Sequence, residues 1–225
     1  LPAGYSERML LSAPLLVQAP GGLDPRLVAL TEPMAVGLHA VNRSGIKAGE
    51  GAIVLGSGPV GLAVIAALRL AGAEPIVATD YSAMRRRLAG VMGAHEVVDP
   101  GEEPAFDAWA RLGNGRTPVV FEAVGVPGMI DDAMRDAPRH SRVVVVGVCM
   151  EPDRITPFWG IAKELAVQFV LGYEPHEFAG TLTAIADGRL DVAPLITGEV
   201  PLEGLPGAFE ELGSPDRHAK ILVVP

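Results

Sequence analysis

Short apolar runs alternate with longer amphipathic segments along most of the chain, beginning at Gly51. The runs are rich in β-branched residues and nearly continuous in apolar character, which is typical of parallel strands covered on both faces. They predict six strands, at residues 52–55, 75–79, 96–98, 119–122, 142–148 and 166–171, the last one at a sheet edge. This rhythm predicts an α/β fold with a doubly wound parallel sheet.

Helical periodicity fills the gaps between these strands. The segment 59–70 has proline in its first turn and ends at Gly72, which is the asymmetry expected of a helix. The segment 82–92 begins with a serine N-cap and ends at Gly93. Further helices are predicted at residues 104–112, 129–137 and 177–186.

Both ends of the chain lack this rhythm. Residues 1–30 contain strand-like pieces at 6–11 and 15–18, and residues 195–225 predict a short strand, a helix near 202–212 and a closing strand at 220–224. We therefore predict a central domain at residues 34–190. Residues 1–33 and 191–225 are interpreted as parts of a second domain.

Charge and composition exclude some partners. The net charge of −9 argues against nucleic acid and anionic membranes, which attract a surplus of lysine and arginine. The longest apolar stretches, near 60–68 and 143–150, are shorter than the roughly 18 residues of a membrane span. Cys149 is the single cysteine, so no intrachain disulfide forms, which suits a cytoplasmic protein. We interpret Cys149 as buried and inert.

The most specific motif is a glycine loop of sequence GSGPVG, formed by Gly56, Ser57, Gly58, Pro59, Val60 and Gly61. A predicted strand precedes it, a predicted helix follows, and the next strand ends at Asp80, 19 residues after Gly61. Gly56 permits the tight turn, Gly58 lets a pyrophosphate approach the backbone, and Gly61 lets helix and strand pack closely. The free amides and positive end of the helix then face the phosphates. The motif predicts a Rossmann dinucleotide site; the alternative is a turn that binds nothing.

The residues after the second strand bear on which dinucleotide binds. Asp80 is expected to accept hydrogen bonds from the adenosine ribose, and its charge to repel a 2′-phosphate, which favours NAD over NADP. The alternative is that Asp80 merely caps the next helix. Among three consecutive arginines, Arg85 is expected beside the adenosine, whereas Arg86 and Arg87 are interpreted as a solvated helix face.

Two later strand ends carry small residues, Val124 and Gly125 after the fourth strand and Gly147 and Val148 after the fifth. Ligands in such sheets lie across the carboxyl ends of the strands. We therefore expect the nicotinamide and its ribose to approach the backbone there. Ordinary strand-ending glycines are the alternative.

With these motifs in place, the chain resembles the medium-chain dehydrogenase/reductase superfamily, in its zinc-dependent alcohol, sorbitol and threonine dehydrogenase branch. The matching blocks are GYSE (4–7), EPMAVGLHA (32–40), VLGSGPVG (54–61), TDYS (79–82), GA and VVDP (within 93–100), FEAVG (121–125), KEL (163–165) and KILVVP (220–225). The resemblance implies cofactor contacts from Val60, Asp80, Arg85, the 147–148 turn and residues 170–172, among them Leu171. Gly172 stands where sorbitol dehydrogenases have an arginine, a departure that bears on a polyol substrate.

The resemblance also bears on metal binding. It implies that Glu32 lies close to a catalytic zinc and can coordinate it; stabilisation of a helix start is the alternative. In the family a GroES-like domain supplies the cysteine and histidine ligands, and we interpret the two ends of this chain as remnants of that domain. His39, on the same predicted helix as Glu32, is interpreted as a packed core histidine.

The expected parent enzyme is a zinc-dependent, NAD-linked oxidoreductase that acts on a secondary alcohol or polyol, or on the corresponding ketone. We expect the chain alone to bind cofactor, to hold no zinc and to turn over little. A homodimer or tetramer is expected through the sixth-strand edge, because such edges are usually paired or covered. Two rival readings are an NADPH-dependent, zinc-independent quinone or enoyl reductase and a non-catalytic dinucleotide sensor.

Overall fold

Six parallel strands form the central sheet of the protein, a computed structural model in which residues 4–214 and 216–224 are described. They are β1 (Ala52–Leu55), β2 (Ile76–Thr79), β3 (Glu96–Val98), β4 (Val119–Glu122), β5 (Arg142–Val145) and β6 (Ala166–Phe169). Their order is β3-β2-β1-β4-β5-β6, and every neighbouring pair is parallel. This is the doubly wound order of a Rossmann sheet, which confirms the predicted fold.

Nine helices flank or follow the strands in the described part of the chain. They are α1 (Pro25–Val28), α2 (Thr31–Ser44), α3 (Pro59–Leu70), α4 (Ala83–Met92), α5 (Ala105–Leu112), α6 (Met129–Asp136), α7 (Pro157–Lys163), α8 (Pro175–Ala186) and α9 (Leu205–Leu212). Helix α8 starts two residues before its predicted start, because Glu174 and Glu177 form a capping box at its N-terminus.

The central strands β1, β2, β4 and β5 are buried on both faces, which explains why they read as continuous apolar runs. In β1, Ala52 and Val54 pack into one hydrophobic cluster together with α2 and α3, while Ile53 and Leu55 pack into a second cluster with α5 and α6. Two helical layers therefore enclose the sheet. The carboxyl ends of the strands all lie at one edge.

The strand bounds differ from the predicted ones at three places. β2 begins at Ile76, since Pro75 has no N–H to donate. β5 ends at Val145, because the next two amides, of Val146 and Gly147, both donate to the main-chain oxygen of Glu122. β6 ends at Phe169, two residues earlier than predicted.

The strand-like pieces predicted at residues 6–11 and 15–18 are wrong. The described residues 4–24 contain only a short 3-10 turn at Ala13–Leu15, and Leu10 is 87% exposed. Apolar residues form a strand only where a neighbouring strand provides backbone hydrogen bonds, and these residues have no such neighbour in the described chain.

At the other end, β7 (Ile196–Val200) and β8 (Lys220–Val223) form a separate two-stranded parallel sheet, with α9 between them. This confirms the predicted strand, helix and strand. Pro225, with which the predicted C-terminal segment ends, lies outside the described residues. The assignment of residues 1–33 and 191–225 to a second domain stays a prediction.

Candidate dinucleotide-binding site

The predicted cofactor residues meet at the carboxyl edge of the sheet. The chain winds from β1 to β2 and β3 in one direction and continues from β4 to β6 in the other, so the strand order reverses between β1 and β4. A crevice opens outside the strand ends at such a switch point. Its lining includes Gly56, Gly58, Pro59, Val60, Asp80, Arg85, Val124, Gly147 and Val148, all of which the sequence predicted.

The glycine loop takes the conformation that its sequence predicts. Gly56 has φ +87°, which favours glycine. A Cβ on Gly61 would overlap the carbonyl oxygen of Gly56, so the close approach of helix and strand requires glycine there. A Cβ on Gly58 would meet nothing nearer than the Arg85 guanidinium, at 3.8 Å. The space above Gly58 is therefore open, in front of the first-turn amides of α3, which have no acceptor within their own helix.

Asp80 links this loop to the next helix. Its Oδ2 accepts a hydrogen bond from the Ser57 amide at 3.0 Å, and its Oδ1 accepts one from the Ser82 amide at 2.8 Å. The Ser82 hydroxyl, in turn, caps α4 by accepting from the Arg85 amide at 3.3 Å. The carboxylate thus lies at the crevice, while the helix cap itself belongs to Ser82.

Two of the three arginines contact this region. The Nη1 of Arg85 lies 3.8 Å from Asp80 Oδ2, and its Nε is a buried donor with no partner in the described part of the chain. A guanidinium with an unused donor beside the carboxylate can bind a polar group of a ligand. Arg87 is exposed, as predicted.

The interpretation of Arg86 as a solvated residue is wrong. Its Nη1 donates to the carbonyl oxygens of Asp80 at 2.8 Å and Tyr81 at 2.7 Å, and lies 2.8 Å from Asp99 Oδ2. Arg86 therefore joins the end of β2 to the loop after β3. Residue spacing along a helix does not reveal these contacts, because the acceptors belong to the turn after β2 and to the loop after β3.

An apolar cleft of about 470 Å³ lies beside Asp80, between the loops that follow β2, β3 and β4. Sequence reasoning missed its residues, which include Tyr81, Pro100, Phe106, Val126 and Met129. Tyr81 and Pro100 lie within two residues of a strand end, which is a signal that could have identified them, whereas Phe106 and Met129 lie in the first turns of α5 and α6. The cleft can hold a flat aromatic base, with Asp80 at its rim.

The other half of the crevice is made of closely packed backbone. Gly125 has φ +73°, and a Cβ there would lie 2.7 Å from the amide nitrogen of Val148. A Cβ on Gly147 would overlap the amide nitrogen of Gly125. The Val124 and Gly125 amides donate to Oε1 of Glu122, at 2.7 and 2.8 Å. Glu122 is buried and was not predicted as a site residue.

Glu32 lies at a neighbouring hollow that it shares with Val36, Val60, Leu171 and Gly172. Leu171 is 84% exposed there, consistent with its predicted place near the cofactor. Within residues 4–214 and 216–224, no group of three or more histidine, cysteine, aspartate or glutamate side chains could hold a metal ion. Glu32 is therefore a single possible ligand rather than part of an assembled zinc site.

His39 and Cys149 lie outside the crevice lining. His39 Nδ1 lies 2.8 Å from Oε2 of the buried Glu177 on α8, consistent with a packed histidine. Burial raises the pKa of Glu177, but hydrogen bonds from the Glu174 amide, Asn42 and His39 outweigh it, so the pKa lies below its ordinary value. Cys149 is partly exposed, because β5 ends before it, so its interpretation as buried is wrong.

Comparison with known proteins identifies the family. A model of the zinc-binding dehydrogenase family matches residues 59–187. The 2-dehydro-3-deoxy-L-galactonate 5-dehydrogenase of Pseudoalteromonas atlantica is 33% identical over 99% of this chain and 65% of its own length.

Two solved structures superpose on the fold. The 2R,3R-butanediol dehydrogenase of Bacillus subtilis is 34% identical, with a TM-score of 0.83 over 93% of this chain and 60% of that chain. A zinc-binding dehydrogenase from Sinorhizobium meliloti, solved with NADP, is 31% identical, with a TM-score of 0.80 over 93% of this chain and 62% of that chain. The chain thus spans just under two thirds of the length of these relatives.

No helix in the described segments has the length and apolar character needed to cross a membrane. The chain belongs to the zinc-binding dehydrogenase family of the medium-chain dehydrogenase/reductase superfamily and comprises its cofactor-binding part.

Proposed function

We propose that this chain binds NAD(H) and is the cofactor-binding part of an oxidoreductase that transfers hydride between a secondary alcohol or polyol and NAD. The observation that carries the proposal is the Asp80 carboxylate, 3.0 Å from the Ser57 amide of the glycine loop. Its position beside the apolar cleft suits an adenosine ribose with free hydroxyls. A 2′-phosphate on that ribose would meet a like charge.

The chemistry divides between the chain and its ligands. NAD would supply the hydride acceptor, its nicotinamide ring, when bound, and residues of this chain would bind and orient it. Gly58 leaves room for the diphosphate, and Arg85 offers an unused donor beside the Asp80 carboxylate.

Zinc would supply the Lewis acid that activates the alcohol in such enzymes. We propose Glu32 as a residue that lies near this metal or coordinates it. The further ligands would come from outside the described residues. The chain as given is then expected to bind cofactor with little turnover.

The proposal is tested by calorimetric titration of the chain with NADH and NADPH. We expect NADH to bind at least about tenfold more tightly, since a misplaced like charge costs more than 1.4 kcal/mol. Asp80→Asn should remove most of this preference, whereas Asp187→Asn, at an exposed residue that directly follows α8 and does not line the crevice, should retain it. Tighter binding of NADPH by the unmodified chain would favour the NADPH-dependent reading, and failure of both to bind at millimolar concentrations would refute the proposal.

We also propose that two copies of the chain pair through β6. This strand is last in the sheet order, so its outer backbone groups face no strand of the described chain, and Phe169 on it is 66% exposed. Exposed strand edges of this kind recruit a further strand. Light scattering after size exclusion should give twice the monomer mass or more, and a monomer at high micromolar concentration would refute the pairing.

A further inference from the structure

A buried acidic side chain lies beneath the half of the crevice that the adenosine does not use. Glu122, the last residue of β4, is 1% exposed. Within the described chain, Glu122 forms no ion pair with an arginine, lysine or histidine. A carboxylate is seldom buried without a cation, so its place needs an explanation that packing does not give.

The contacts of Glu122 hold two strand ends together. Its Oε1 accepts from the amides of Val124 and Gly125, which fixes the turn after β4. Its main-chain oxygen accepts from the amides of Val146 and Gly147, each at 2.9 Å, which fixes the turn after β5. Its Oε2 lies directly under Gly147, since a Cβ there would be 2.8 Å from it. Glu122 thus fixes the two turns, at residues 124–125 and 146–147, that form the floor of the crevice beside β4 and β5.

The position of Asp80 decides which part of the dinucleotide reaches this floor. If NAD(H) binds as proposed, the carboxylate of Asp80 and the apolar cleft would hold the adenosine near the ends of β2 and β3. The diphosphate would then cross at the glycine loop between β1 and β4, and the nicotinamide would reach the ends of β4 and β5. As a carboxylate, Glu122 would place a negative charge at this floor, where its Oε1 accepts from the amides of Val124 and Gly125.

The two oxidation states of the cofactor differ in charge at that place. The nicotinamide ring of NAD⁺ is a cation, and that of NADH is neutral. A charge beneath a partly desolvated crevice is screened less than it would be in water. We propose that Glu122 is a positioning residue that orders the nicotinamide floor and favours binding of the oxidised, cationic cofactor over the reduced one. This inference rests on the proposed binding of NAD(H).

The test compares three ligands on the full chain: ADP-ribose, NAD⁺ and NADH. Glu122→Gln keeps an acceptor for the two amides and removes the charge. We expect the ratio of dissociation constants, NAD⁺ over NADH, to rise about fivefold, because only NAD⁺ loses an attraction. Binding of ADP-ribose, which has no nicotinamide, should change less than twofold. A purely structural role would weaken NAD⁺ and NADH alike.

A second variant keeps the test decisive if Glu122→Gln does not fold. Glu122→Asp draws the same charge away from Gly125 and Gly147, so the ratio should move in the same direction by about twofold. An unchanged ratio in a folded variant that still binds ADP-ribose would overturn this inference and leave the proposed function standing. Failure of the unmodified chain to bind ADP-ribose would overturn both.

Discussion

The two glycines at the start of α3 make a matched pair of substitutions with opposite expected effects. Gly58 has φ −65° and ψ −177°, a conformation open to any residue, and its missing side chain would meet only Arg85 at 3.8 Å. Gly61 sits against the carbonyl of Gly56, with which any Cβ would overlap. Gly58→Ala should therefore affect the ligand, and Gly61→Ala the fold.

The magnitudes follow from these environments. In Gly58→Ala, the weaker helix cap and the lower entropy of the unfolded chain nearly cancel, so the free energy of unfolding should change by less than about 1 kcal/mol. In Gly61→Ala, backbone must move to relieve the overlap, and we expect a loss of about 1–3 kcal/mol. The added methyl group of Gly58→Ala occupies the diphosphate's space. Losing even one hydrogen bond to a charged group there costs about 1.5–3 kcal/mol, or about 10- to 100-fold in NADH affinity.

Urea unfolding and calorimetric titration with NADH measure the two effects separately. The expected result is a normally stable Gly58→Ala with weakened binding, beside a destabilised Gly61→Ala. If Gly58→Ala bound NADH as the unmodified chain does, the diphosphate would not lie at the N-terminus of α3. If both variants lost the same free energy of unfolding, Gly58 would not have the open space that the structure shows above it, and the reasoning would be refuted.

Three further substitutions test polar contacts at the site and elsewhere in the fold. Because the pKa of Glu177 is lowered in the fold, its contribution to stability is present above the ordinary carboxyl range and is lost as pH falls through the lowered value. Urea unfolding between pH 7 and 3 should therefore be less pH-dependent in Glu177→Gln. An unchanged profile would contradict the role given to its hydrogen bonds from the Glu174 amide, Asn42 and His39. Arg142→Met removes a two-pronged contact with Glu50, with both distances 2.8 Å, and a hydrogen bond to the carbonyl oxygen of Ser44 at 2.8 Å. Because the Glu50 pair is partly exposed, urea unfolding should show a loss of only about 1–2 kcal/mol. Arg86→Leu should weaken ADP-ribose about tenfold by calorimetry, and affinity equal to that of the unmodified chain would show that the turn after β2 does not need this anchor.

The features that the sequence predicted correctly depend on local pattern. Continuous apolar runs identify strands buried on both faces, and the spacing from Gly61 to Asp80 identifies the strand that brings the acid back to the glycine loop. These inferences succeed because the crossover connections of a parallel sheet are almost always right-handed, which leaves few ways to arrange such elements.

The features that it missed depend on pairing across the fold. The apolar residues at 6–11 have the composition of a strand, but a strand exists only where another provides hydrogen bonds. Arg86 was interpreted from its helix face, whereas its ion-pair partner, Asp99, follows a different strand. Glu122 was visible as a strand-ending acid, but its value to the site depends on β5 lying beside β4, which only the folded sheet shows.

The contacts of Asp80 suggest how the crevice is prepared before any cofactor arrives. Its two carboxylate oxygens already accept amides from the glycine loop and from the turn before α4, and Arg86 holds the carbonyls of Asp80 and Tyr81 from below. Each carboxylate oxygen can accept a further bond, so ribose hydroxyls would add to these contacts and need not displace them. A loop that is ordered in advance loses little conformational entropy on binding. Replacing Asp80 would therefore both remove a ligand contact and loosen the loop. We expect it to weaken NADH binding by more than the loss of a single hydrogen bond would.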